Sequence, residues 1–356
     1  MAVYTTINDP SVYFHTQLYT GNATSSRNIT NTGNANLQPD FVWIKNRTGG
    51  ADWHDLTDTN RGATKSLFSN TNSAEGTAAQ SLQAFLTDGF TIGSDAQVNR
   101  NANDYVAWQW KANGGTTASN SSGSITSTVQ ANTTAGFSIV TYTGNGSNAT
   151  VGHGLGVTPK MIIIKRLNGS NDWIVYHASL ENAQYYLSLN TTAGQTQASN
   201  VFNSTAPTSS VFSVGTSTAT NSGSQTYIAY CFADIQGYSK FANLNGNGNA
   251  DGPFIYTGFK PAFVMQKEYS QGSTVWFMWD SKRDPINVAN HTVEANSAAA
   301  EGSTASGATN WIDILSNGYK IRNTGSHLNA SGRQYIYMAF ASNPFVTSDG
   351  VPTTAR

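Results

Sequence analysis

The sequence predicts an all-β protein built from three tandem, internally homologous antiparallel β-sandwich modules of jelly-roll or lectin-like type. The first observation behind this is a run of signals that occurs three times in 356 residues. Its first copy is Tyr19-Thr20-Gly21, Pro39, Lys45, Trp53, Phe90-Thr91-Ile92-Gly93 and YVAWQW at 105–110. The second is Tyr142-Thr143-Gly144, Pro159, Lys165, Trp173, Phe212-Ser213-Val214-Gly215 and YIAYCF at 227–232. The third is Tyr256-Thr257-Gly258, Pro261, Lys267, Trp276, Tyr319-Lys320-Ile321 and YIYMAF at 335–340. Proline to lysine is six residues each time, and lysine to tryptophan is eight, eight and nine. The second observation is composition: charged residues make up only 11%, while small polar residues abound, as many short strands and polar turns require. The third is the near absence of helical periodicity, with room for a helical turn or two only in Ser73 to Leu86 and Ala298 to Leu315.

Each copy has the length of a small domain. The phase of the repeat divides the chain into an N-terminal docking segment 1–16, modules 17–111, 135–235 and 253–345, Ser/Thr/Gly-rich linkers 112–134 and 236–252, and a tail 346–356. The docking segment carries Tyr4, Ile7, Val12, Tyr13 and Phe14, too many apolar groups for a free tail.

Within a module, the element after the proline is apolar on both faces: Phe41 to Ile44, Met161 to Ile164, and Phe263 to Met265. This predicts a central strand opened by proline, where the missing N–H costs little, and closed by a lysine that reaches water. A glycine-containing loop at Gly49-Gly50, Gly169 or Gly272 then predicts a hairpin into the tryptophan strand. In the closing strand, alternation puts Val106, Trp108 and Trp110, then Ile228, Tyr230 and Phe232, then Ile336, Met338 and Phe340 on the core face. The opposite face, with Tyr105, Tyr227 and Tyr335, is mixed. Units of this size bury only about two-thirds of their unfolded surface, so the modules are expected to pack on one another or across a symmetry axis.

Composition excludes several functions. Net charge is −1 without a basic block, which argues against nucleic acid and against anionic membrane surfaces as partners. Cys231 is the single cysteine and lies in an apolar strand, as a buried, inert thiol does. No N-terminal apolar run reads as a signal peptide, so synthesis in a cytoplasm is expected, and triplets such as those at Asn22, Asn28, Asn46, Asn132, Asn148 and Asn203 then follow from composition rather than from glycosylation.

No motif carries catalysis. There is no nucleophile elbow, and Gly152-His153-Gly154-Leu155-Gly156 precedes a strand rather than a helix, which makes it a turn and not a phosphate loop. The densest polar run is Asp52-Trp53-His54-Asp55-Leu56-Thr57-Asp58. Aligned with the other copies, Asp172 matches Asp52 while Val175 and Ala178 replace Asp55 and Asp58, so the run reads as a solvated loop or strand end. Glu75 and Glu301 match each other but lack a counterpart in the second copy, and are expected to cap a turn or pair with a lysine. Histidines 15, 54, 153, 177, 291 and 327 have no paired spacing for zinc. The loop Asn245 to Asp251 is rich in oxygen but lacks the bidentate glutamate of a calcium loop. Trp53, Trp173 and Trp276 suit either core packing or sugar stacking, and their recurrence within strands favours the core. The expectation is a non-enzymatic chain with no cofactor, no metal and no identified receptor-binding residues.

The stretches TTINDPSVYFHTQLYTGN, LQPDFVWIKNR, NRGATKSLFSNTNSAE, LTDGFTIGSD, GFSIVTYTGNGSNATVGHGLGVTPKMIIIK, FIYTGFKPAFVMQK and YIYMAFASNPF together resemble a family of repeated-module virion proteins of tailed bacteriophages, commonest in phages of marine bacteria. The resemblance covers nearly the whole chain and transfers no functional residue. It implies a tail-fibre or host-recognition protein on the virion exterior, with other virion proteins and a host-surface glycan as partners and a homotrimer by analogy. Capsid decoration is the alternative, and a glycan depolymerase the second alternative. The sequence has neither coiled-coil heptads nor a slender repeat shaft.

Overall fold

A computed structural model describes residues 4–33, 36–49, 51–302 and 311–353. It is all-β and built of antiparallel sheets. Its one α-helix among the described residues is the single turn Ala96–Asn99. The first expected helical stretch instead holds the strands Gly76–Thr77 and Leu82–Phe85. In the second, 303–310 lie outside the described residues and Ile312–Leu315 is a strand.

Three large sheets share one four-strand order. In the first it is Phe14–Thr20, Asp104–Trp110, Phe41–Asn46 and Asp55–Asp58. In the middle sheet it is Phe137–Thr143, Thr226–Phe232, Met161–Arg166 and Ile174–His177, extended at both edges. The last sheet runs Ser239–Asn245, Gln334–Pro344, Phe259–Glu268 and Phe277–Asp280. The hairpins expected after each lysine are present, pairing Ile44 with Asp55, Ile164 with Ile174, and Gln266 with Phe277. Pro261 does not open its strand but sits at a register shift inside it, where a missing donor is tolerated.

Both linker assignments need correction. Residues 118–120 and 127–132 are strands of the middle sheet, paired through Val129 with Val140. The preceding turn is tied down by buried Asp40, whose carboxylate accepts from the amides of Ala112, Gly114 and Gly115 at 2.6–2.9 Å. Residues 239–245 form the first strand of the last sheet. Leu244 faces Tyr335 there, as Tyr19 faces Tyr105 and Tyr142 faces Tyr227. The counterpart of Tyr19-Thr20-Gly21 is therefore Leu244-Asn245-Gly246, not Tyr256-Thr257-Gly258. Polar composition hid all three strands: 118–120 and 239–245 lie at sheet edges, and each of the three leaves some side chains exposed to water.

The inner faces of the three sheets meet in one core. It holds Val106, Trp108 and Trp110, Ile228, Tyr230 and Phe232, and Ile336, Met338 and Phe340, the residues that alternation assigns to the core face. At its centre Trp110, Phe232 and Phe340 touch pairwise, with ring centroids 6.4, 5.6 and 6.0 Å apart. Each outer face is covered by a small sheet and has a core of its own. The covers are built around Phe90–Ile92, Val211–Val214 and Gly318–Ile321. Tyr105, Tyr227 and Tyr335 are consequently fully buried. Each hydroxyl accepts from an amide and donates to a carbonyl of its own loop, Arg100 and Ala96, Ser222 and Thr218, or Ala330 and Ser326.

The N-terminal segment docks through Ile7, buried in the shared core, and through Thr5, whose hydroxyl donates to the Gln236 carbonyl. Gly237, at φ +77°, admits this contact, because a Cβ there would lie 2.7 Å from the Thr5 side chain. Phe14 itself begins the first strand, so the docking segment ends before residue 14. The tail folds back through Val346 opposite Pro352 and meets Asn8 through Ser348.

Candidate functional site

The polar run 52–58 is not a solvated loop. Asp52 is buried and accepts from Asn46 and from the Arg100 guanidinium at 2.7 Å. Asp55 is buried within a strand and accepts from the hydroxyls of Thr57, Ser66 and Ser81 at 2.7–3.1 Å. Burial raises its pKa, and the three hydroxyls oppose the shift. Asp58 accepts from Arg61 at 2.5 Å and from the Tyr230 hydroxyl at 2.7 Å. Every acid in the run has its own partners, and none is left facing solvent as a proton donor.

The alignment of this run shifts by one residue. The amides of His54, Trp173 and Trp276 each donate to an asparagine side chain, Asn70, Asn190 and Asn296 respectively. His54 is thus the counterpart of Trp173 and Trp276, and Asp58 that of His177 and Asp280. Trp53 is displaced to the surface, 40% exposed with its ring 4.9 Å from Phe68, while Trp173 and Trp276 are buried. A core role holds for two of the three tryptophans; the insertion before His54 is visible only once hydrogen-bond partners are known.

These positions form the junctions between sheets. Trp173 Nε1 donates to the Phe68 carbonyl, Trp276 Nε1 to that of Ser188, and His54 Nε2 lies 3.0 Å from that of Glu294. His54 Nδ1 accepts from Trp43 Nε1 at 2.8 Å, which leaves the proton on Nε2 for Glu294. Burial holds this imidazole well below its ordinary pKa, so it is neutral. The three lysines cross the same junctions. Lys45 donates to Ala298, Lys165 to Asn72, and Lys267 to Thr192 at 3.4 Å, all carbonyls of a neighbouring part. None reaches water, contrary to expectation; burial lowers all three to about 8, with nearby acids opposing.

Glu301 receives Arg47 at 2.7 Å and Arg283 at 2.9 Å, while Glu75 takes Arg61 at 3.2 Å and lies 3.9 Å from Lys65. Arginine, rather than lysine, is the main partner of both. Burial lifts the Cys231 thiol to about 12, far from nucleophilic. In the Gly152–Gly156 turn, His153 Nδ1 accepts from the Leu155 amide. In the oxygen-rich loop, Asn247 Oδ1 accepts from the Asn249 amide and from Asn329 Nδ2, and Asp251 pairs with Lys320 at 2.7 Å. The same turn recurs at Asn22 with Thr24 and at Asn145 with Ser147, which accounts for its composition. Among the described residues, no three His, Cys, Asp or Glu side chains gather as a metal cluster.

Among the clefts open to a ligand is a groove of about 410 Å³ where the two chain ends meet the turn between the middle and last sheets. Its walls carry Tyr4 and Tyr256, 51% and 61% exposed. Tyr256 stands on the outer face of the edge strand Phe254–Tyr256, opposite Gly318. Gly258, at φ +84°, follows Tyr256 along the groove wall, and a Cβ there would stand at ordinary contact distance, 3.7 Å, from the phenol oxygen. Asp234 and Lys240 form an ion pair of 2.8 Å on the same wall, and Asp234 also accepts from the Phe241 amide. No local motif in the sequence marks this site, because its residues are drawn from the docking segment, the ends of the second and third modules, the linker between them and the tail. The one usable signal was Tyr256, an aromatic assigned to a repeat that the structure does not place it in.

The model of one protein family, described as a domain of unknown function (DUF7483), matches residues 9–344. No curated protein matches the sequence.

Proposed function

The chain belongs to the DUF7483 family of domains of unknown function; we propose, from its sequence resemblance and its groove, that it is a non-enzymatic structural protein on the exterior of a tailed-phage virion, tail-associated, that binds a host-surface glycan. The observation that carries the binding half is the groove in which the rings of Tyr4 and Tyr256 stand exposed beside the Asp234–Lys240 pair. Exposed phenol rings beside hydrogen-bonding groups suit a ligand with one apolar and one hydroxylated face. Binding is favoured over hydrolysis because buried acids that a depolymerase would need free are engaged: Asp58 with Arg61, Asp280 with Arg283, and Glu301 with both Arg47 and Arg283. The virion half rests on the family resemblance of the sequence.

The same reading takes the chain as three diverged copies of one sandwich module. It is supported by the shared strand order and by junction contacts at matching positions. Homo-oligomerisation, a trimer by analogy, stays part of the proposal, although Tyr105, Tyr227 and Tyr335 are buried and supply no motive for it. Capsid decoration is the second reading, favoured by the closure of three sheets on one core with no shaft.

The purified protein is expected to bind host cells and to compete with phage adsorption, releasing no sugar fragments. Saturation of virion heads without cell binding selects decoration; liberated oligosaccharides select the depolymerase.

A further inference from the structure

We infer that the groove beside Tyr256 recognises a neutral pyranose, gripped through two adjacent hydroxyls by the Asp234–Lys240 pair with its apolar face on the Tyr256 ring. This rests on the glycan-binding reading above and adds the class of sugar. The argument begins with valence. An ionised carboxylate offers about four acceptor sites, and Asp234 uses one for Lys240 and one for the Phe241 amide. An ammonium has three donors, and Lys240 gives one to Asp234. Both groups line the groove and are partly exposed, so acceptor and donor capacity remain side by side. A vicinal diol matches that arrangement: one hydroxyl donates to the carboxylate while its neighbour accepts from the ammonium.

Charge decides between sugar classes. The pair is neutral as a unit, and among the described residues no other ionisable side chain apart from the two tyrosines lines the groove. A uronic or sialic acid would bring its carboxylate to a cation already matched by Asp234 and would meet that aspartate's repulsion. A neutral ring carries no such cost. The ring's apolar face has a partner in Tyr256, whose side chain is largely exposed in the groove and whose backbone is set by strand pairing opposite Gly318. A groove of about 410 Å³ holds one or two sugar residues.

The test uses the full chain with methyl α- and β-pyranosides of glucose, galactose and mannose, and with glucuronic acid as the charged match, read by saturation-transfer NMR and calorimetry. At least one neutral glycoside is expected to bind in the millimolar range, with glucuronic acid at least tenfold weaker. Tyr256→Ala and Asp234→Asn are each expected to weaken the neutral ligand tenfold or more. Both sites are partly or largely exposed, and an unchanged thermal midpoint confirms that the variants fold. Glucuronic acid binding as tightly as its neutral counterpart overturns the sugar class but leaves the glycan reading standing. If no pyranoside binds while the protein still adheres to cells, the groove is not the site and the inference falls. If the protein neither adheres to cells nor binds any sugar, the functional reading falls with it.

Discussion

The indole N–H of Trp173 donates to the carbonyl oxygen of Phe68 at 2.9 Å, joining the middle sheet to the first. Trp276 repeats the contact on Ser188, and His54 closes it on Glu294. Three contacts of this kind, each one step further round, form a closed ring within a single chain. Closure matters because a head-to-tail contact either closes or propagates, and closure leaves no unmatched donor surface at the end. It also explains why one position tolerates histidine. Any ring N–H that reaches the neighbouring carbonyl serves.

Removing that N–H while keeping an aromatic ring tests the junction. Trp173→Phe leaves the Phe68 carbonyl without its indole partner and is expected to cost about 1–3 kcal/mol. Trp173→Ala, which also empties a large buried site, is expected to cost about 3–5 kcal/mol. Urea denaturation measures both; equal stability of the phenylalanine variant and wild type removes the hydrogen bond from the account.

Asp55→Ala is expected to destabilise by about 1–3 kcal/mol, because Ser66 and Ser81 lose the acceptor they share. An exposed acid would cost less than about 0.5 kcal/mol. Chemical denaturation separates the two, and the smaller value means the strand is not buried as described.

Acid sensitivity follows from the neutral histidines. His177 is lowered to about 4 by burial, with its contact to the Tyr337 carbonyl opposing. The unfolded chain binds a proton from about pH 6.5 downward while the folded one does not, so stability is present above that value and is lost as pH falls toward 4. Denaturation midpoints are expected to drop from about pH 6.5 in wild type and less steeply in His177→Gln. Identical slopes would count against a buried neutral imidazole.

The buried lysines act at the other end of the scale with the same sign. Their folded pKa of about 8 lies below the unfolded value, so burying them charged costs stability at neutral pH. That cost is relieved as pH rises from about 8 toward 10.4. The buried tyrosines oppose it above about pH 10, where only the unfolded chain ionises them. Stability is therefore expected to peak at about pH 9–10, and a maximum at neutral pH speaks against the lysine geometry.

Residues 117–238 expressed alone are expected to aggregate or to bind hydrophobic dyes. Their inner face, including Ile139, Ile163, Ile228, Tyr230 and Phe232, is covered in the whole chain by the other two sheets. A stable, dye-free monomer would mean that the middle part does not depend on the shared core.

The all-β class, the core face of the closing strands and the lysine-to-hairpin connection were legible in the sequence because each is local. Alternation assigns Val106, Trp108 and Trp110 to one face whatever lies opposite. The same locality limited the reading at Lys45, Lys165 and Lys267. A lysine at a strand end reaches water unless a neighbour covers it, and the neighbours come from distant parts of the chain. Asp55 was misplaced for the same reason, since Ser81 lies far along the chain.

By itself the sequence determined strand faces, the repeated spacing and the lack of a local catalytic signature, all set by side-chain alternation and residue chemistry over a few positions. Only the tertiary structure decided that the polar stretches at 118–120, 127–132 and 239–245 are strands, that the outer faces are second cores, and that the junctions close in a ring. It alone assembled the groove, because Tyr4 and the pair Phe345 and Val346 come from opposite ends of the chain and reach Asp234, Lys240 and Tyr256 only when both ends fold back on the last sheet. The physical reason is one of range. Backbone pairing and burial depend on what a segment meets, and for these residues the partner is supplied by a distant segment that no local pattern encodes.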